Sequence, residues 1–254
     1  MLFVYLLAAY VLSFFMNVLI YRGPIEEKLF VFQSKCPSCK ENIKWYNNIP
    51  IFGYFISGIK YKCCNVRKNK EILLVPICNM ILYALCFYFF KAVEIRIITM
   101  LFSSVLLIVI FTDINHMIIL DRCHVAILVL GVLAIIFNFT SLINAVLGVL
   151  IFFLGFYLIA VIGEKIMDQE VLGGGDIKLM GACGLFLGWD LTLCGLIVGC
   201  AFGLLLEYFL MLIKIRKRGD YLAFGPYLAL GMLFACFYGH QLIDWYQGLL
   251  LGLI

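Results

Sequence analysis

Leu172-Gly173-Gly174-Gly175-Asp176-Ile177-Lys178-Leu179 sets an ionisable carboxyl where three glycines end and a long apolar segment begins. A charge is costly to bury at such a junction, so the acid marks either a site or the watery end of a glycine loop. Glycine has no Cβ, and three in succession permit strained backbone angles or the close approach of another segment. The apolar segment after Asp176 is one of many. Hydrophobic residues make up 65% of the chain and charged residues 13%, and the mean hydropathy is +1.09, which excludes an ordinary soluble domain. The expected fold class is all-α, a polytopic membrane helix bundle. Each apolar run approaches the roughly 20 helical residues needed to cross about 30 Å of hydrocarbon, and a helix satisfies its own backbone in lipid.

About eight transmembrane helices are expected, over about 1–20, 72–90, 97–112, 123–139, 142–163, 177–187, 192–213 and 221–238. The sixth is short unless it begins within the glycines, and the tail after Gly239 is too short to span. Residues 1–20 read as an uncleaved first helix, because they lack a basic start and a small-residue cleavage site. Residues 21–71 form a basic loop and residues 72–254 a membrane-embedded core. The loop holds ten of the nineteen Lys and Arg residues, so it is expected in the cytoplasm with the N-terminus outside. Alternation of the helices then leaves seventeen basic residues inside and only Lys91 and Arg96 outside. That topology brings Asp113 and Asp176 to the same membrane face, although they are far apart in sequence.

Two carboxyls held close together cannot both ionise cheaply, so one keeps a proton near neutral pH. The ionised partner can then take a proton from water while the neutral one polarises a peptide carbonyl, which is aspartyl protease chemistry. Solvated acids at two helix ends are the bland alternative, since spacing alone does not make them converge.

Further residues surround this pair. Phe111-Thr112-Asp113-Ile114-Asn115-His116-Met117-Ile118-Ile119-Leu120-Asp121 and Gly173-Gly174-Gly175-Asp176-Ile177-Lys178-Leu179-Met180 resemble the paired signature of the type IV prepilin peptidases, membrane aspartyl proteases with a G-x-G-D motif. Asn17-Val18-Leu19-Ile20-Tyr21-Arg22, Cys36-Pro37-Ser38-Cys39, Asn48-Ile49-Pro50 and Phe224-Gly225-Pro226-Tyr227 are similar to that family's other landmarks and follow its order over nearly the whole chain. The resemblance implies that Asp113 and Asp176 are catalytic. It also implies that the substrate is a prepilin or pseudopilin whose short basic leader is removed at the cytoplasmic face of the inner membrane. Proteolysis in such a family needs no cofactor. Many members also methylate the new N-terminus with S-adenosylmethionine, an activity associated with the first loop. The expected partners are these substrates and the lipid bilayer, and no nucleic acid.

Gly173, Gly175, Asp121 and Lys178 are read as supporting the site. The family pattern has Pro-Asp where this chain has Leu120-Asp121, so Asp121 either hydrogen-bonds the site or caps the following helix. Lys178 either lowers an aspartate pKa, attracts the anionic membrane surface, or simply snorkels. Cys36 and Cys39 have the spacing of a zinc knuckle, and Cys63 and Cys64 would complete four thiolate ligands. That second pair is adjacent where the family has C-x-x-C, so free reduced thiols are the alternative, in keeping with eleven cysteines that show no disulfide framework. Asn79 falls near a position where the family has a glutamate, which sets methylation apart from proteolysis. Glu207 either faces a polar cavity or pairs with a hydroxyl or amide across helices. His116, His124 and His240 share no metal-like spacing and read as surface or packing residues. Three other readings compete: a presenilin-like intramembrane protease, a transporter using Asp113, Asp176 and Glu207 as an ion path, and a member that binds pilins and delivers them without cutting. The cysteine loop and Phe224-Gly225-Pro226 disfavour the first, and the lack of matching interrupted helices disfavours the second.

Overall fold

The computed structural model describes residues 1–24, 34–35, 42–43, 71–169, 171–214 and 223–250. These fall into two compact units, Met1–Tyr88 and Phe89–Ile254.

In the first unit, α1 (Leu2–Arg22) and α2 (Glu71–Phe89) are joined through a segment that carries a two-residue antiparallel ladder. In that ladder β1 (Ser34–Lys35) meets β2 (Asn42–Ile43), with Ser34 opposite Ile43 and Lys35 opposite Asn42. At 1.5 Å per residue the 21 residues of α1 extend about 31 Å, the thickness of the hydrocarbon core. Pro76 lies inside α2 and has no N–H to offer the carbonyl of Ile72, four residues earlier. In a membrane such a carbonyl has no water to turn to. Asn17 supplies a donor, with Nδ2 3.4 Å from the Ile72 oxygen. One turn further along, buried Asn79 donates to the Ala9 carbonyl at 3.0 Å and to Ser13 Oγ at 3.4 Å. The polar residues of these two helices therefore serve as hydrogen-bonding links between them.

The second unit comprises α3 (Val93–His116), α4 (Asp121–Ile136), α5 (Leu142–Met167, with a π-helical turn at Leu150–Leu154), α6 (Gly174–Leu187), α7 (Trp189–Leu212) and α8 (Gly225–Leu250). Six of the eight described helices are long and apolar enough to cross a membrane: α1, Ile72–Phe89 of α2, α3, α5, α7 and Gly225–Leu249 of α8. The fold is thus the expected polytopic helical bundle, with six such helices among the described residues where eight were expected, since α4 and α6 have only 16 and 14 residues. Burial separates an inside from an outside: 78% of the most apolar stretch of α3 is buried, against 22% for α5 and 28% for α7. The outer helices turn residues such as Leu204 and Ile166, 74% and 76% exposed, toward what would be lipid.

Without a hydrophobic drive between helices in lipid, close packing holds them together. Gly148 of α5 and Gly184 of α6 meet backbone to backbone, so that a Cβ on either would run into the other helix's main chain. Gly195 and Gly199 of α7 meet Gly231 of α8 in the same manner. Phe102 of α3 stacks on Phe186 of α6 at 4.0 Å, with Phe139 against the same ring at 5.3 Å. Such pairs contribute about 0.5–1.5 kcal/mol each beyond area burial.

Two expectations change. The segment after Gly239 is not a separate tail, since α8 continues through it to Leu250. The glycine stretch is not a strained loop: Gly174 and Gly175 lie in the first turn of α6, which begins within the glycines, and Gly188 is the only described glycine with positive φ.

Candidate functional site

Asp113 stands in the last turn of α3, which ends at Met117 in the left-handed conformation. The chain then runs through Ile118, Ile119 and Leu120 into α4, whose first residue is Asp121. Asp176 occupies the first turn of α6. The fold brings the two acids together, each within electrostatic range of the other.

Each carboxyl also meets a helix N-terminus. Asp113 is buried, within hydrogen-bonding reach of the backbone N–H of Gly225, the first residue of α8. Pro226 follows, where a helix tolerates a missing N–H. Positive ends of two helix dipoles thus face the acidic pair and favour negative charge there. Asp176 is half-buried, and its Oδ1, shut off from solvent, makes no hydrogen bond among the described residues. A buried, unpartnered carboxyl oxygen retains a free lone pair or proton, which is what acid–base work on a bound group requires.

The glycines make room at close quarters. A Cβ on Gly225 would stand 2.6 Å from Asp113 Oδ2 and 3.1 Å from Ile119 Cδ1. A Cβ on Gly175 would stand 3.2 Å from Ile119 Cβ, and one on Gly173 would stand 3.4 Å from Asp176 Oδ2. Gly174 faces open space. Ile119 is therefore wedged between the turn that carries Asp176 and the helix start that contacts Asp113.

Asp121 and Lys178 meet each other outside this centre, with Lys178 Nζ donating to Asp121 Oδ1 at 2.8 Å. That hydrogen bond, followed by the lysine's charge, holds the exposed Asp121 carboxyl below the usual carboxylate range. Lys178 thus lowers an aspartate pKa, as one reading expected, but that of Asp121. His124, read as a surface or packing residue, is buried: its Nε2 lies 3.0 Å from the Gly175 carbonyl, while its Nδ1, 3.5 Å from Asp121 Oδ1, makes no hydrogen bond among the described residues. The i, i+3 spacing of Asp121 and His124 on one helix face was the available signal for that contact. No local pattern pointed to Ile119.

Glu207 is buried in α7 and accepts from Tyr227 Oη at 2.6 Å, the interhelical pairing with a hydroxyl that was one of its expected roles. The pair borders a recess of about 210 Å³ also lined by Cys200, Gly203, Leu204 and Phe224. Cys36, Cys39, Cys63 and Cys64 lie outside the described residues, β1 and β2 flanking the first pair in the chain. Among the described residues no group of three or more His, Cys, Asp and Glu side chains is placed to hold a metal.

The described residues thus form a helical membrane bundle that gathers two carboxyls at the starts of two helices. Residues 100–207 match the type IV leader peptidase family, and residues 6–90 match the bacterial peptidase A24 N-terminal domain. A prepilin leader peptidase/N-methyltransferase of Legionella pneumophila is 26% identical over 226 residues, covering 88% of this chain and 78% of the relative. One from Pectobacterium carotovorum is 27% identical over 245 residues, covering 87% of each chain. A third, from Myxococcus xanthus, is 28% identical over 176 residues, covering 69% of this chain and 52% of the relative. No solved structure matches. The chain belongs to the type IV leader peptidase family and is a multi-pass membrane peptidase.

Proposed function

We propose that Asp113 and Asp176 are the catalytic dyad of an endopeptidase that removes the short basic leader from prepilins or pseudopilins. The observation that carries this reading is the pairing of a buried carboxyl at the start of α8 with a second, incompletely hydrogen-bonded carboxyl in the first turn of α6. Two desolvated acids within range of one another share a proton more readily than they carry two charges. The ionised member takes a proton from water as the water oxygen bonds to the scissile carbonyl carbon. The protonated member donates to the carbonyl oxygen, and a tetrahedral intermediate forms. Its collapse breaks the C–N bond: the proton taken from water passes to the leaving amine, while one hydroxyl of the intermediate returns its proton to the other aspartate as the new carboxyl forms, leaving the dyad with one proton as at the start.

In the expected alternating topology seventeen of the nineteen Lys and Arg residues fall on inner segments, which supports an outside N-terminus and an active site at the cytoplasmic face. A basic leader is suited to that face. Leader removal from a co-expressed prepilin tests the assignment: Asp113→Ala and Asp176→Ala each abolish it, and continued cleavage by either variant refutes the dyad.

N-methylation of the new N-terminus, with S-adenosylmethionine as the methyl donor, is a second reading, favoured by the names of the relatives, prepilin leader peptidase/N-methyltransferases. Against it, the Asn79 amide is already engaged with Ala9 and Ser13. The mass of the mature pilin N-terminus decides, an added methyl group supporting methylation and a free amine refuting it. The four loop cysteines are proposed as ligands of a structural zinc. Metal analysis of the purified protein with and without Cys36→Ser tests this, and equal zinc content in both refutes it.

A further inference from the structure

The first turn of α4 is attached to the first turn of α6 at two points, one on each side of Asp176. His124 is only 5% exposed, and its Nε2 lies 3.0 Å from the carbonyl oxygen of Gly175, the residue just before the acid. A carbonyl oxygen only accepts, so Nε2 carries the proton and donates it. On its other side Nδ1 stands 3.5 Å from Asp121 Oδ1 without a hydrogen bond, and the two residues are tied to each other by their shared first turn of α4. The same oxygen accepts from Lys178 Nζ at 2.8 Å, and Lys178 stands two residues after the acid. Gly175, His124, Asp121 and Lys178 therefore form a brace that begins and ends on the turn carrying Asp176.

That turn has reason to need an external hold. Its three glycines bring no side chains to restrict the backbone, and Asp176 N–H closes only a local bond, to the Gly173 carbonyl at 3.0 Å. The Gly175 carbonyl belongs to the peptide plane that leads into Asp176, so holding this oxygen fixes the direction from which the Asp176 side chain leaves the helix. The hold is anchored close to the other acid as well, because α4 begins only a short connection after the end of α3.

We propose that His124 is a positioning residue: by donating to the Gly175 carbonyl from the first turn of α4, it sets the orientation of Asp176 toward Asp113. The inference rests on the assignment of these two acids as the dyad. It assigns His124 no contact with substrate and no proton transfer to it.

The test uses the full-length protein in proteoliposomes and a synthetic prepilin-type peptide with a basic leader followed by an apolar helix. Glutamine extends an amide donor about as far as Nε2, whereas asparagine stops near the position of Nδ1. His124→Gln is therefore expected to keep kcat within about fivefold of the parent. His124→Asn and His124→Phe are expected to lower kcat roughly 30- to 100-fold, the scale of a misplaced catalytic group, with KM changed less than about threefold. Hydrogen exchange over residues 171–180 should speed up in the asparagine variant and not in the glutamine variant. Both polar variants preserve a folded protein if the phenylalanine variant does not fold. Equal kcat for glutamine and asparagine variants overturns the proposal, as does a loss carried mainly by KM or an unchanged exchange pattern. Cleavage by Asp176→Ala would instead defeat the dyad itself; an inactive Asp176→Ala beside a fully active His124→Asn defeats only the positioning role.

Discussion

Gly225→Ala is expected to disable the peptidase while leaving the bundle intact. The added methyl would stand 2.6 Å from Asp113 Oδ2, where ordinary contact begins near 3.4 Å, so the carboxyl or the start of α8 must give way by about 0.8 Å. Asp113 has little room to retreat, because it is buried and Ile119 Cδ1 would lie 3.1 Å from the same methyl. Displacement also pulls the carboxyl from the Gly225 N–H and from the positive end of α8. Misplacement of a reacting group by about 1 Å costs on the order of 100-fold in rate. The glycines beside Asp176 provide a graded series: Gly174→Ala meets nothing, Gly173→Ala makes an ordinary contact at 3.4 Å, and Gly175→Ala presses on Ile119 at 3.2 Å. Cleavage of a prepilin peptide should therefore fall little for Gly174→Ala, modestly for Gly173→Ala, further for Gly175→Ala and most for Gly225→Ala. Because alanine is the better helix former, Gly174→Ala should also raise stability, by up to about 1 kcal/mol. A Gly225→Ala protein with kcat within about twofold of the parent, or a Gly174→Ala protein as impaired as Gly225→Ala, would refute the reasoning.

Gly184→Ala should destabilise the bundle by about 1–3 kcal/mol or more, since its methyl would stand 2.5 Å from the Gly148 carbonyl oxygen; a lowered thermal midpoint with unaltered KM in the surviving protein checks this. Asn17→Ala removes the donor facing the Ile72 carbonyl freed by Pro76, and a loss of about 1–2 kcal/mol is expected in denaturation of the detergent-solubilised protein. The same replacement with Pro76→Ala present should cost less, because α2 then supplies its own N–H. The pKa of Asp121 is depressed in the folded state, so its pairing with Lys178 contributes above the unfolded value of about 3.9 and is lost as pH falls through the lower folded value. NMR titration of labelled aspartate should show one midpoint below 3.9 that returns toward about 3.9 in Lys178→Met; an unchanged midpoint contradicts the pairing.

The helices were legible because hydropathy accumulates along the chain. Each of the eight expected segments has a helical counterpart among the described residues, six of them long and apolar enough to cross a membrane, and the differences fall at their ends. Asp113, expected just beyond a helix, lies within the last turn of α3, which runs on to His116. Isoleucine, asparagine and histidine can each extend a helix or leave it, and the stop comes only at Met117, where the backbone turns left-handed. Lys178 was legible as a charge near the acids but not as the partner of Asp121. That choice depends on α4 lying beside α6. His124 gave no sign of burial in its own neighbourhood, since Arg122 and Cys123 fit a helix start at the membrane surface equally well.

Sequence alone determined the class of fold, the uneven distribution of basic residues along the chain, and the two acids singled out by their apolar surroundings. These are sums over local composition, and they survive errors of a few residues in any boundary. Only the tertiary structure decided that Gly225 must be bare beside Asp113, that Ile119 fills the space between two turns, and that His124 holds the carbonyl before Asp176. Contacts of this kind are settled to within a few tenths of an ångström by how helices pack, and Asp113 and Gly225 are more than a hundred residues apart along the chain.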